Sequence, residues 1–332
     1  METTAVQQLF FQHIKANLPA HLSLVDEVAE VLNISNDSAY RRIRGDKGIS
    51  FDEIQKLSAH YKLSLDQFLH LQSDALIFTG RVNYDSETVF EDYLQDVLKQ
   101  LSIVNSFDKK HIYCLMKDIP PYIHFQVPEL AAFKFYFWKK SILHDESIQK
   151  VKFSFDDPAY DNYHVISKKI VDVYNKIPMT EIWNIESINS TLRQIDFYRD
   201  SGLYKSNADV KLLYEKVEEL INHIERQAEL GIKFNVGSTP DSRSVSYRFF
   251  VNELITGDNT FLVEIDNMRM TFLNHSVLYY VGTRDEQFNN AMFRNVENLM
   301  KKSTLISTVA EKERVRFFQQ LRDKIHSSQQ SL

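Results

Sequence analysis

The first seventy residues are a succession of short helical periods, each opened by its own start signal, and no other pattern in the chain limits the fold as tightly. Val6, Leu9, Phe10, Ile14 and Leu18 recur on one face of a helix that Pro19 ends. Ser23 precedes Leu24, Val25, Val28, Ala29 and Leu32, with Asp26 as the carboxylate of a capping box, and this second helix stops near Asn33. Ser35 caps a third helix that carries Ala39 and Ile43 inward and that Gly45 closes in a left-handed conformation. Ser50 with Glu53 opens a helix bearing Phe51, Ile54, Leu57 and Tyr61; Ser64 with Gln67 opens one bearing Leu65, Phe68 and Leu69. Five short helices follow from these signals, with Ala29 small enough for the third to cross closely over the second.

Ala29, Leu32, Ile34 and Ser35 surround the turn between the second and third helices. Arg44-Gly45, Ile49-Ser50, Ile54, Leu57, Leu63-Ser64 and Leu65 follow at fixed intervals. On these positions residues 23 to 69 resemble the lambda-repressor-like, or Xre, family of helix-turn-helix domains. Two positions depart from that pattern. Asn33 stands where the turn usually has glycine, a place Asn tolerates because it visits positive φ readily. Arg42 stands where a core aliphatic is usual, with Ile43 next to it, which suggests a rotated third helix. The resemblance implies binding to duplex DNA with the third helix in the major groove, usually as a dimer on a two-fold symmetric site.

Charge sharpens that expectation. The chain carries 39 Lys+Arg against 45 Asp+Glu, a net −6, which excludes a global basic field for nucleic acid or anionic membrane. Residues 1 to 75 are net −3, yet four of their seven basic residues fall within 41 to 47, where a recognition helix would meet phosphates. With Ala39 and Ile43 inward, Asn36, Asp37, Tyr40, Arg41 and Arg44 point outward; Asn suits adenine, Arg guanine and Asp cytosine. Tyr40, Arg42 and Lys47 suit phosphates, and Ser35 opens the helix, so Ser35, Asn36, Asp37, Tyr40, Arg41, Arg42, Arg44 and Lys47 are the DNA-contacting candidates. An Arg-rich last turn also favours the helix dipole, so a merely solvated face is the plain competing reading.

Beyond a linker at 73–85 the pattern is again mostly helical. Asp85 or Ser86 caps a helix with Phe90, Leu94, Val97, Leu98 and Leu101; Ile112 to Met116 reads as a buried strand. Pro128 begins a helix whose aromatics at 133 and 135 to 138 require burial, as a core helix or as the floor of a ligand pocket. Helices are expected from Val165 to Ile177, from Thr180 to Tyr198, and from Ser206-Asn207 to Leu230, ended by Gly231. In the last, Val210, Leu213, Val217, Leu220 and Ile224 follow an a/d spacing that fits either a dimer seam or internal packing. Tyr247 to Val251, Thr260 to Ile265 and Val277 to Val281 read as a small antiparallel sheet, with a turn at Gly257-Asp258-Asn259. Two helices close the chain, one with Phe288, Met292, Val296 and Met300, the other with Val315, Phe317, Phe318, Leu321 and Ile325.

The expected fold is therefore mainly α: a five-helix domain over 1–72 and a larger helical domain over 86–326 with a small antiparallel sheet, then a frayed tail at 327–332. A single cysteine, Cys114, excludes a disulfide framework and fits a reducing compartment. No secretory signal or membrane-length apolar run is read, so the expectation is a cytoplasmic chain without membrane contact. His111 and Cys114 have H-x-x-C spacing without a second pair, and Gly237 to Arg243 has the polar atoms of an anion loop without a following helix to aim its dipole. No motif of catalysis or cofactor binding stands out, so no enzyme and no cofactor are expected. The layout fits a sequence-specific, dimeric transcriptional regulator whose larger domain dimerises and has room for a small-molecule effector. The alternative is an adaptor that uses its helix-turn-helix unit to bind polypeptide.

Overall fold

A computed structural model describes residues 3–18, 22–61, 63, 65, 76–80, 89–155, 157–254 and 257–330. The chain divides into two compact units, Met1–Ile77 and Phe78–Leu332.

The smaller unit holds α1 (Thr3–Asn17), α2 (Leu24–Leu32), α3 (Asn36–Arg44) and α4 (Phe51–Tyr61). Its start and stop signals act as the sequence suggests. The Ser23 hydroxyl accepts from Asp26 N–H, and Asn33 ends α2 at φ 55°. Ser35 caps α3 through Ser38 N–H, and Gly45 closes it at φ 86°. Ser50 and Glu53 form a reciprocal capping box at 3.0 and 3.3 Å. The core gathers Phe10, Phe11, Ile14, Val28, Ala29, Leu32, Ala39 and Leu57. Two expected core positions are exposed instead: Leu9 at 51%, with Phe11 inward in its place, and Phe51 at 88%. The Ser64–Gln67 box, with Phe68 and Leu69, lies outside the described residues, as do Pro19 and the Asp85 or Ser86 cap.

The larger unit corrects the expected fold class. Its described residues form one eight-stranded mixed sheet in the order β1-β7-β6-β5-β2-β3-β4-β8, so this is an α/β fold rather than a helical domain with a small antiparallel sheet. The strands are β1 (Thr79–Gly80), β2 (Lys110–Met116), β3 (Met179–Trp183), β4 (Tyr247–Val251), β5 (Thr260–Ile265), β6 (Met268–Asn274), β7 (Tyr280–Thr283) and β8 (Thr304–Leu305). Strand β3 falls where the helical reading of Thr180 to Tyr198 began, β6 was not anticipated, and β1 lies inside the segment read as linker. β2, β3 and β4 run parallel, Cys114 opposite Glu181 and Glu181 opposite Phe249, while β5 pairs antiparallel with β2.

Parallel neighbours require crossovers, and the helices supply them. Before β2 runs α5 (Val89–Asn105); between β2 and β3 come α6 (Pro121–His124), α7 (Pro128–Phe137) and α8 (Asp161–Tyr174). Between β3 and β4 come α9 (Asn189–Asp200) and α10 (Asn207–Leu230). These helices pack with Ile112, Cys114, Met116, Met179, Trp183 and Phe249 in the main core. The other face, with Ile182, Phe250 and Leu262, is covered by Phe293 and Val296 of α11 (Glu286–Lys301). The final helix, α12 (Glu311–Gln330), continues through four residues expected to fray.

The a/d residues of α10 are buried within this unit, against α12, α9 and α7, so the stripe serves the internal core and offers no subunit seam. The aromatic helix α7 is likewise a core helix and passes at Trp138 into a π turn, Trp138–Ile142.

Candidate nucleic-acid interface

The candidate residues lie on α3 and its flanks, and the packing of α3 decides which of them face solvent. Ala39 and Arg42 are its buried residues. Arg42 therefore leaves the set of phosphate contacts: it is 5% exposed and occupies the core register in which an aliphatic was expected. Its Nε and Nη2 both reach Glu53 Oε1, at 3.0 and 2.7 Å, and Nη1 donates to the Ser38 carbonyl at 3.0 Å. Ile43 is only partly buried, so α3 keeps its register without the suggested rotation. The guanidinium holds the Glu53 carboxyl below its ordinary value, helped by Ser50 N–H and opposed by burial.

The other candidates remain at the surface. Ser35, Asn36, Asp37, Tyr40, Arg41, Arg44 and Lys47 are all exposed. The Asn36 amide donates to Asp26 at 2.8 Å, which ties the first turn of α3 to α2. The Arg44 guanidinium lies 5.6 Å from the centroid of the Tyr40 ring and 3.6 Å from Asp46. Gly45 N–H donates to the Arg42 carbonyl and Lys47 N–H to the Arg41 carbonyl, so Lys47 is folded back beside the helix end.

A residue overlooked in the sequence fixes this arrangement. Gln7 of α1 is buried; its amide donates to the carbonyls of Arg42 and Lys47, each at 2.7 Å, and its oxygen accepts from Ile49 N–H at 3.1 Å. Gln8 adds a bond to the Arg44 carbonyl at 2.7 Å. The Arg42 and Arg44 carbonyls in the last turn of α3 thus accept from side chains of α1. In the sequence its one signal is a polar residue beside Val6 in the apolar periodicity of α1.

In the larger unit, His111 and Cys114 point to opposite faces of β2 and cannot share a metal ion. His111 bonds Thr180 at 2.8 Å, and burial lowers its pKa to about 4. Among the described residues no group of three or more His, Cys, Asp or Glu side chains is placed to hold a metal. In the polar loop, Arg243 is paired with Asp241 at 2.8 Å.

Glu181 is the least expected core residue. Fully buried in β3, it accepts from Tyr174 at 2.9 Å and from Trp183 and Tyr247 at 2.8 Å. Lys233 is buried as well, donating to the Tyr174 carbonyl at 2.6 Å; burial pushes its amine down to about 7, against the pull of Glu181. The described residues contain no helix long and apolar enough to cross a membrane.

No protein-family model matches the chain, and neither the curated proteins nor the solved structures include a match to it.

Proposed function

We propose that the protein is a sequence-specific DNA-binding regulator, and that α3 enters the major groove of duplex DNA. The observation carrying this reading is the division of α3 into two faces: Ala39 and Arg42 anchor it, while Asp37, Tyr40, Arg41 and Arg44 stand exposed together. Arg41 and Arg44 supply forked donors that fit guanine edges, Asp37 accepts from cytosine, and Tyr40 and Lys47 reach phosphates beside the groove. Arg42 is a positioning residue whose ion pair holds α3 against α4. Nine residues of helix span only about 14 Å, too short to specify a genomic site alone, which favours a homodimer presenting two such helices about 34 Å apart. With the stripe of α10 spent inside the core, the subunit contact belongs to another surface.

Selection from a random duplex library tests the reading, with the wild type beside an Arg41→Ala, Arg44→Ala double variant. The expected result is a two-fold symmetric motif that the variant loses. No enrichment at low salt would turn the interpretation toward a polypeptide-binding adaptor, in keeping with the net negative charge of residues 1 to 75.

A further inference from the structure

A pocket of about 460 Å³ opens beyond the carboxyl ends of β2 and β3. β2 and β3 are parallel neighbours, so the segments that follow them emerge side by side at this edge of the sheet, the edge where α/β folds bind ligands. Its walls are Asp118 just after β2, Ser190, Arg193 and Gln194 of α9, and two aromatic rings, Phe137 at the end of α7 and Phe197 of α9. Phe137 adjoins the π turn, a helix irregularity frequent at functional sites.

Gln194 of the wall is backed by a buried polar group. Lys134 is 4% exposed; its Nζ donates to Gln194 Oε1 at 2.6 Å and Thr191 Oγ1 at 3.1 Å, and neither partner is charged. Gln194 passes this contact to the pocket, its amide reaching Ser190 at 3.2 Å. Burial lowers the Lys134 amine to about 7 and raises the Asp118 carboxyl, the latter offset by Lys134 and Lys117.

Charge bookkeeping then points to a ligand class. Lys117 is paired with Asp258 at 2.6 Å and Glu186 with Lys324 at 3.0 Å, so these charges are already neutralised. Two charged side chains of opposite sign remain at the walls with no ion pair to a described residue: Asp118, which Ser190 hydrogen-bonds, and Arg193, whose guanidinium has no hydrogen bond to any described residue. A simple anion would meet the Asp118 carboxylate, and a simple cation would meet the Arg193 guanidinium. We propose that the pocket binds a zwitterion of the amino-acid class, carboxylate on Arg193, ammonium on Asp118, apolar side chain between Phe137 and Phe197. This assignment rests on the pocket alone and stands apart from the DNA reading.

The test is a thermal and calorimetric titration of the full chain with the standard amino acids, L-phenylalanine and L-leucine first, at up to about 10 mM. An amino acid that raises the unfolding midpoint is expected, with 3-phenylpropanoate and phenethylamine, each lacking one charge, binding at least roughly tenfold more weakly. Arg193→Met and Asp118→Asn should each weaken binding by a similar factor; Arg193 is exposed, so its variant keeps the unliganded midpoint. A midpoint unmoved by every amino acid, equal binding of the half-charged analogues, or binding unchanged in both variants overturns the proposal.

Discussion

Arg42 of α3 and Glu53 of α4 meet through two hydrogen bonds to a single carboxylate oxygen, with side chains only 7% and 19% exposed. The same carboxylate also closes the capping box that starts α4, so one contact fixes both the orientation of α3 and the start of its neighbour.

Breaking that pair should cost about 3 kcal/mol in the smaller unit, because either single deletion leaves a poorly solvated charge or donor behind. Arg42→Ala and Glu53→Ala are both expected to do so, whereas Arg42→Met with Glu53→Leu should recover most of the loss. Hydrogen exchange of peptides covering α2 to α4 in the full chain reads this directly, since Trp138 and Trp183 both lie in the larger unit. Equal protection in the single variants and the wild type would contradict it.

The pair also sets an acid limit. The Glu53 carboxyl is held below its ordinary 4.5, so the unfolded state takes up a proton first as pH falls. Its stabilisation is complete above 4.5 and lost as pH drops through the folded value. Protection factors in α3 and α4, with the intrinsic pH dependence of exchange divided out, should therefore fall below pH 4.5 in the wild type and be less pH-dependent in Glu53→Gln.

On DNA, Lys47→Ala should weaken binding to all sequences alike and reduce the slope of log Kd against log salt by about 1. Arg41→Ala and Arg44→Ala should each cost about 1–3 kcal/mol and relax preference at particular base pairs. Binding titrations of wild type and variants on the selected site and on a scrambled duplex, at several salt concentrations, separate the two behaviours.

The larger unit should gain stability between pH 7 and 9. Folded Lys134 and Lys233 lose their protons near 7, while unfolded lysines keep theirs to about 10.4, so the unfolded state binds more protons in this interval. Each lysine contributes a slope of up to about 1.4 kcal/mol per pH unit. Near pH 10 the trend reverses, because unfolded tyrosines ionise while Tyr122, Tyr174 and Tyr247 are held well above their ordinary value by burial. Urea midpoints followed by tryptophan fluorescence should rise over this range, and less so in Lys134→Met.

Gly231 ends α10 at φ +66°, and a Cβ there would run into Thr308 Cγ2. Gly231→Ala is expected to destabilise the larger unit by about 2 kcal/mol, from left-handed backbone strain plus that overlap. The tryptophan-monitored unfolding midpoint measures it.

The smaller unit was legible because its signals are local: Ser23, Ser35 and the Ser50–Glu53 box act within four residues of themselves. Arg42 misled, since its burial depends on a carboxylate eleven residues away. The sheet was hidden for a similar reason. Met-Thr-Glu-Ile-Trp does not read as a buried parallel strand while Glu181 is taken as solvated, and only Tyr174, Trp183 and Tyr247, gathered by the fold, make its burial tolerable. β6, with Met268 and Arg269 exposed, presents too few inward residues to stand out. The pocket walls come from separate segments, after β2, in α7 and in α9, and no linear spacing announces them.

The pairing of β1 with β7 ties residues 79–80 to 281–282. On a ribosome adding about 5–20 residues per second, that closure trails the completion of the first 77 residues by roughly 10–40 s, whereas the described residues of the smaller core all lie within those 77. Each newly made copy thus passes through a period in which α3 is assembled and the sheet is not. The length of that period is set by translation speed.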